Sequence, residues 1–135
     1  MKCLYCNGDT EVTNSRPQKR NNQIWRRRKC SKCQAIFTSH EAIDLSSTLL
    51  VECEGPKPFI EDLLYSDLQT ALKHRPDSYG AAREASYTVI KELLKLSNKP
   101  LFKPTDISRV AYGVLEKLDQ RGALRYRADH PSLLQ

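Results

Sequence analysis

Cys3-Leu4-Tyr5-Cys6 and Cys30-Ser31-Lys32-Cys33, two C-x-x-C turns in the first third of the chain, are the stretches that decide how it begins to fold. A C-x-x-C turn places two thiolates on adjacent corners of a tetrahedron, and two such turns complete the coordination of one zinc ion without histidine. A redox dithiol uses the same spacing but needs a βαβ setting that this sequence does not offer. Two disulfides would suit an exported mini-protein, whereas reduced thiols at this spacing favour metal. Cys3, Cys6, Cys30 and Cys33 are therefore the expected ligands of one structural zinc. Such a site contributes roughly 10–16 kcal/mol, enough to fold a short polar segment.

Working outward from the cysteines, the first 42 residues read as a small β-ribbon. Asn7-Gly8 can supply the positive φ of a tight turn after the first cysteine pair. Glu11–Ser15 is a β-like stretch, 17–22 a polar loop, Gln23–Arg28 a second strand and Ala35–His40 a third. The segment holds too few apolar residues to fold by burial alone. Its charge is one-sided. Residues 1–40 carry nine Lys/Arg and two acids, a balance of +7, while the rest of the chain carries thirteen and fourteen, a balance of −1. No acid stands between Val12 and His40. A cationic module joined to a neutral one points to a polyanionic partner. Arg16, Lys19, Arg20, Arg26, Arg27, Arg28 and Lys29 are the candidate nucleic-acid contacts. Strand alternation separates Arg26 and Arg28 from Trp25 and Arg27. One face can then hold phosphates while an arginine reads guanine. Trp25 is expected to pack on the ribbon, and His40 to be an ordinary surface residue.

Beyond a short linker at Ser46-Ser47, the stretch 48–53 reads as a strand with a turn near Glu54-Gly55. Pro56 and Pro58 confine the next segment to an edge or a loop. The period then becomes helical. Ile60, Leu63, Leu64, Leu68, Ala71 and Leu72 mark a first helix, closed by Pro76. Asp77 or Ser78 caps a second, with Ala82, Ala85, Val89, Ile90, Leu93 and Leu94 on one face. Thr105-Asp106 caps a third, carrying Ile107, Val110, Ala111, Val114, Leu115 and Leu118. A short basic helix follows over 123–128. Cys53 is expected to be a buried packing residue, and His74 and His130 exposed helix-end residues. No serine triad, Walker lysine, carboxylate cluster or HExxH motif is present, so no enzyme is expected. No run reaches the ~18–20 apolar residues of a membrane helix, and the first residues lack a signal-like apolar core, so the expected compartment is the cytoplasm.

Several motifs carry a resemblance to a known family. Met1-Lys2-Cys3-x-x-Cys6, Ser15-Arg16, Ile24-x-Arg26-Arg27-Arg28-x-Cys30-x-x-Cys33 and Phe37-Thr38-x-x-Glu41 resemble the zinc ribbon of NrdR, a family of bacterial transcriptional repressors of ribonucleotide reductase genes. In that family an ATP-cone follows, and Val51, Gly55, Phe59, Arg75-Pro76, Leu118-Asp119 and Arg125-Tyr126 resemble its landmarks. The resemblance implies an α+β chain: a rubredoxin-like all-β zinc ribbon over residues 1–45, then a mainly helical cone-like domain with a short β-hairpin over 46–135. It implies a bacterial, nucleoid-associated repressor on palindromic double-stranded DNA, self-associating through the cone. Alternatives are an RNA-binding ribbon and a regulatory module docking on reductase subunits.

The resemblance also implies ATP or dATP as an effector, bordered by Val51, Gly55, Lys57 and Phe59. Yet Glu52-Cys53 stand where the family has a Lys-Arg pair, Leu63 or Leu64 where it has a lysine, and Trp25 within its arginine run. Triphosphate binding is therefore expected to be weak or absent, because carboxylate, thiol and alkyl groups do not hold phosphate.

Overall fold

The structure is a computed structural model describing residues 1–134. It divides into two compact units, Met1–Ile43 and a second from Asp44 onward. The first unit is a three-stranded antiparallel sheet in the order β1-β2-β3, with β1 Thr10–Gln18, β2 Gln23–Cys30 and β3 Ile36–Glu41. β1 is longer than its sequence suggests. Pro17 lies inside it, opposite Ile24. Proline is tolerated in an edge strand such as β1, one side of which has no ladder partner. The connecting loop shrinks to 19–22, with Asn22 at φ 53.

β1 and β2 keep strict pairing except at Thr13, where Val12 opposes Arg28 and Asn14 opposes Arg27. This is a one-residue bulge, closed by the Thr13 hydroxyl donating to the Arg27 carbonyl at 3.3 Å. A bulge reverses the in–out parity of the residues beyond it. Arg16 consequently lies across from Trp25 rather than from Ile24, which puts it on the face of Arg27 and not on that of Arg26 and Arg28. Within this unit only Cys3 and Cys30 are buried. The sheet has no apolar core of its own.

The second unit opens differently from the expected linker. Ser46 and Ser47 belong to a one-turn helix, α1 Leu45–Thr48, because the Asp44 carboxylate accepts from both of their amides and both hydroxyls. A small mixed sheet follows in the order β5-β4-β6, with β4 Leu50–Glu52 antiparallel to β5 Pro56–Pro58 and parallel to β6 Leu101–Phe102. β5 occupies the edge, where its prolines are tolerated. β6 was not legible, since Pro100 and Pro104 hide two extended residues between breaks. The β4–β5 turn takes positive φ at Glu54 and Gly55. Cys53 sits at this turn and is exposed, contrary to the expectation of burial.

Four α-helices, α2 Glu61–Ala71, α3 Ser78–Leu96, α4 Pro104–Leu118 and α5 Gln120–Asp129, and a closing 3-10 turn, Pro131–Leu134, make up the rest of the unit among the described residues. Leu64, Leu68, Ala71 and Leu72 meet Ala82, Ala85, Val89 and Leu93, with Ala111, Leu115, Ala123 and Tyr126 closing the core. Ile60, Leu63, Leu94 and Leu118, expected on the buried stripes, are 45%, 65%, 50% and 41% exposed. Two caps also differ from the sequence reading. α4 begins at Pro104, whose fixed φ suits a first helical position. Asp77 makes no capping bond because Arg75 holds its carboxylate at 2.8 and 3.0 Å.

α5 starts three residues earlier than expected, at Gln120, capped by Asp119, which accepts from the Gly122 amide at 2.8 Å. The same carboxylate meets His74 Nε2 at 3.1 Å and the Arg75 guanidinium at 3.2 Å. His74 is thus not the exposed residue its position suggested; its side chain is 14% accessible. Gly122 is required here for space, since a Cβ would meet Leu72 Cδ2 at 2.8 Å. The Gly122 amide first, then His74 and Arg75, hold the Asp119 carboxyl at about 2 against the opposing effect of burial. The depressed value stabilises the fold where the carboxylate is ionised. That contribution is complete above its unfolded value of about 3.9 and is lost as pH falls toward 2. Asp119→Ala is expected to cost at least ~1–2 kcal/mol in urea denaturation, the ordinary worth of a helix cap. Asp119→Asn should shrink the acid-dependent loss of stability between about pH 4 and 2.

Candidate metal centre and nucleic-acid interface

The two cysteine turns are near copies of one another. In the first, the Cys3 amide donates to Gly8 O and the Asn7 amide to Cys3 O, each at 2.9 Å. In the second, the Cys30 amide donates to Ala35 O at 2.9 Å and the Gln34 amide to Cys30 O at 3.2 Å. Each turn is closed by a residue of positive φ, Asn7 at 58 and Gln34 at 64. The glycine at position 8 is therefore not the residue that takes the left-handed conformation. It is needed because a Cβ there would stand 3.2 Å from the sulfurs of both Cys6 and Cys30.

The four sulfurs lie within 4.8 Å of one another, with Cys3–Cys33 at 3.7 Å and Cys6–Cys30 at 3.5 Å. A tetrahedron with Zn–S bonds of ~2.3 Å has edges of roughly 3.8 Å, so these separations suit zinc. Backbone amides already point at the sulfurs, from Tyr5 to Cys3 at 3.4 Å and from Cys33 and Lys32 to Cys30 at 3.4 and 3.3 Å. The Cys33 and Lys32 amides draw the Cys30 thiol down to about 6. At Cys33 the Ala35 amide pulls the same way, but burial and the sulfurs of Cys6, Cys3 and Cys30 outweigh it and push that thiol up to about 12. A cluster that welcomes one thiolate and resists the next carries four only around a cation. The donor set fits one structural zinc.

The cysteines fix the ends of the sheet, and the sheet sorts the basic residues. Cross-strand partners share a face. One face carries the rows Arg16–Trp25–His40 and Asn14–Arg27–Thr38, with Lys29 between Glu11 and Ile36. Arg16, Arg27, Thr38 and His40 are exposed. The opposite face carries Arg26 beside Ser15 and Ser39, and Arg28 beside Val12 and Phe37. There the arginines are occupied. Arg26 pairs with Glu41 at 2.8 Å and donates to Ser15 at 3.3 Å, and Arg28 donates to Ser39 at 2.9 Å. Lys19 and Arg20 stand on the loop beyond β1. The seven candidate cations thus fall into three places rather than one.

In the second unit a cleft of about 340 Å³ is bordered by β4, α2, α4 and α5. Of the four residues that the resemblance gives as bordering a nucleotide, Val51 and Phe59 line it, while Gly55 and Lys57 do not. Leu63, Leu64, Ile107 and Tyr126 make most of the wall, and Asp67, Ser108 and His130 supply its polar groups. Tyr126 and His130 stack at 3.9 Å. Sequence reading missed this cluster, although the i, i+4 spacing of Tyr126 and His130 could have placed them on one helix face. Its lining contains no Lys or Arg. Arg83, a possible alternative cation, is stacked on Tyr65 at 3.9 Å.

Residues 1–41 match the family described as "Transcriptional repressor NrdR-like, N-terminal domain". The transcriptional repressor NrdR of Janthinobacterium sp. (strain Marseille) is 30% identical over 134 residues, covering 98% of this chain and 86% of that protein. The repressor of the same name from Thermus thermophilus is 34% identical over 128 residues, covering 93% and 81%. That from Rhizobium etli (strain CIAT 652) is 31% identical, covering 93% and 80%. The similarity runs through both units. No described helix is long and apolar enough to cross a membrane.

Proposed function

This chain belongs to the NrdR family of transcriptional repressors, and we propose that it grips operator DNA with the exposed face of its ribbon sheet. It is a DNA-binding repressor with a structural zinc, not an enzyme, and the RNA-binding and reductase-docking alternatives lose their footing. The proposal concerns which residues do the gripping. The observation that carries it is the sorting of the arginines: Arg16 and Arg27 stand exposed on one face, while Arg26 and Arg28 are engaged on the other. Phosphate binding needs cations not already neutralised, and Arg26 shares its charge with Glu41. Lys19, Arg20 and Lys29 flank the same sheet and extend the positive field. The four cysteines, through zinc, hold the sheet rigid against the duplex.

A single ribbon of this size covers only ~600–1,000 Å² of a duplex, as other small modules do. A palindromic operator and a homo-oligomer would double the contact. What supports assembly through the second unit is its set of exposed large apolar residues, Leu63, Leu94, Leu96 and Leu124. Bound to its operator, the repressor resides on the nucleoid. Footprinting of the zinc-loaded protein on promoter duplexes of reductase genes tests the assignment. A protected two-fold site, with sedimentation showing at least a dimer, supports it; protection of one half-site by a monomer removes the oligomer.

The cone is proposed to bind ATP or dATP weakly or not at all. The cleft that Val51 and Phe59 border lacks cations, and the adjoining turn presents Glu52, whose carboxylate accepts from the Gly55 amide at 3.1 Å, followed by Glu54. Calorimetric titration should show no binding tighter than millimolar. A micromolar dissociation constant, or ATP that changes operator affinity, refutes this.

A further inference from the structure

We propose that the ribbon also holds one unpaired nucleobase, stacked on Trp25 between that indole and the guanidinium of Arg16. The inference rests on the ribbon being the nucleic-acid-gripping unit, and it adds Trp25 to a face on which Arg16 is already proposed to meet the duplex. Arg16, Pro17, Gln18 and Trp25 line an open cavity of about 280 Å³ on the sheet. The Arg16 guanidinium carbon lies 6.0 Å from the centre of the Trp25 ring. Two stacked layers need roughly 6.8 Å, twice the ~3.4 Å rise of stacked bases, so a small outward swing of Arg16 admits a flat heterocycle. Arg16 is exposed and on an edge strand, which leaves it free to make that swing.

The chemistry of the walls fits a base rather than an apolar side chain. A guanidinium plane and an indole both stack on nucleobases, and such stacking tolerates any base because every base has a π-face. The Gln18 carboxamide can donate to a base edge, although its oxygen already accepts from Asn21 at 3.4 Å. Arg27 lies one pair along β2 on the same face, and Lys19 follows Gln18. They are placed for the phosphates flanking a base in the cavity. A base inside a duplex cannot enter, since its faces are covered by its neighbours. The ligand is therefore a single-stranded or extruded nucleotide.

The chain contains one tryptophan, so its fluorescence reports on this position alone. Zinc-loaded full-length protein is titrated with single-stranded oligo(dT), oligo(rU) and an operator duplex. Quenching by single strands is expected; quenching by oligo(dT) alone assigns the site to DNA, and by both to either nucleic acid. Trp25→Ala should weaken single-strand binding, followed by anisotropy of labelled oligomers, roughly 5- to 150-fold, the loss of one base–aromatic stack. Trp25→Phe, which keeps an aromatic face, should recover most of that loss while leaving duplex affinity near its original value. Zinc content of both variants checks that the ribbon remains folded. Absence of quenching by single strands, or equal loss in the alanine and phenylalanine variants, overturns the proposal. Duplex binding that survives such a result leaves the repressor reading intact.

Discussion

Replacing Cys30 by serine is expected to unfold the ribbon while the second unit keeps its helices and its own melting transition. Within the first unit only Cys3 and Cys30 are buried, so the sheet has no hydrophobic core to fall back on. Cys30 is also fully buried, accepts two amide hydrogen bonds and lies 3.5 Å from the Cys6 sulfur. A structural zinc contributes roughly 10–16 kcal/mol to folding in small metal-folded domains, more than a three-stranded sheet supplies. Losing one thiolate of four removes much of that. The second unit has a separate core of Leu64, Leu68, Leu72, Val89, Leu93 and Leu115, which the substitution does not touch. Amide exchange gives the readout: protection in β1, β2 and β3 should vanish, and protection in α2 and α3 should stay. Retained protection in the strands after cysteine loss, or after chelation of the metal, would show that the ribbon folds without it.

The second large effect is on DNA. The double variant Arg16→Ala, Arg27→Ala is expected to bind operator at least roughly 30-fold more weakly, from two contacts each worth ~1–3 kcal/mol. If both touch phosphate, the slope of log affinity against log salt should fall by about 2, at ~0.9 per contact. If Arg27 reads a base, the slope should fall by about 1 and discrimination between operator and random duplex should shrink. Arg26→Ala, Arg28→Ala is the control. It breaks the Arg26–Glu41 pair, whose members are 29% and 64% exposed, and such surface pairs contribute ~1 kcal/mol or less. It should weaken binding less than the first variant does. A larger loss from the control would place DNA on the opposite face of the sheet.

How much of this was legible before the structure depends on whether the signal is local. The metal ligands were legible because coordination chemistry imposes a fixed spacing on four residues of one type. The helical core was legible as a stripe at positions such as Leu68, Ala82, Val89 and Leu115. Leu63 and Leu94 were misread, because a stripe wider than its partner helices leaves its margin in solvent. Cys53 was misread because apolar neighbours in sequence do not bury a residue at the tip of a turn. His74 was misread for the opposite reason. Its partner Asp119 is distant in sequence and reaches it only when α5 docks beside the end of α2.

The sequence by itself determined the composition of the chain: a zinc-folded basic ribbon, a helical second unit, and a hairpin that carries Glu52 and Glu54. Spacing, period and charge are local properties, and no packing can alter them. Which arginines face outward was decided only by tertiary structure. Alternation along β2 separates Arg27 from Arg26 and Arg28, but it cannot say which set β1 joins. The bulge at Thr13 decides that, by shifting Asn14 and Arg16 into the rows of Arg27 and Trp25. A one-residue offset between paired strands reverses every side chain beyond it, and strand pairing exists only once the sheet has formed.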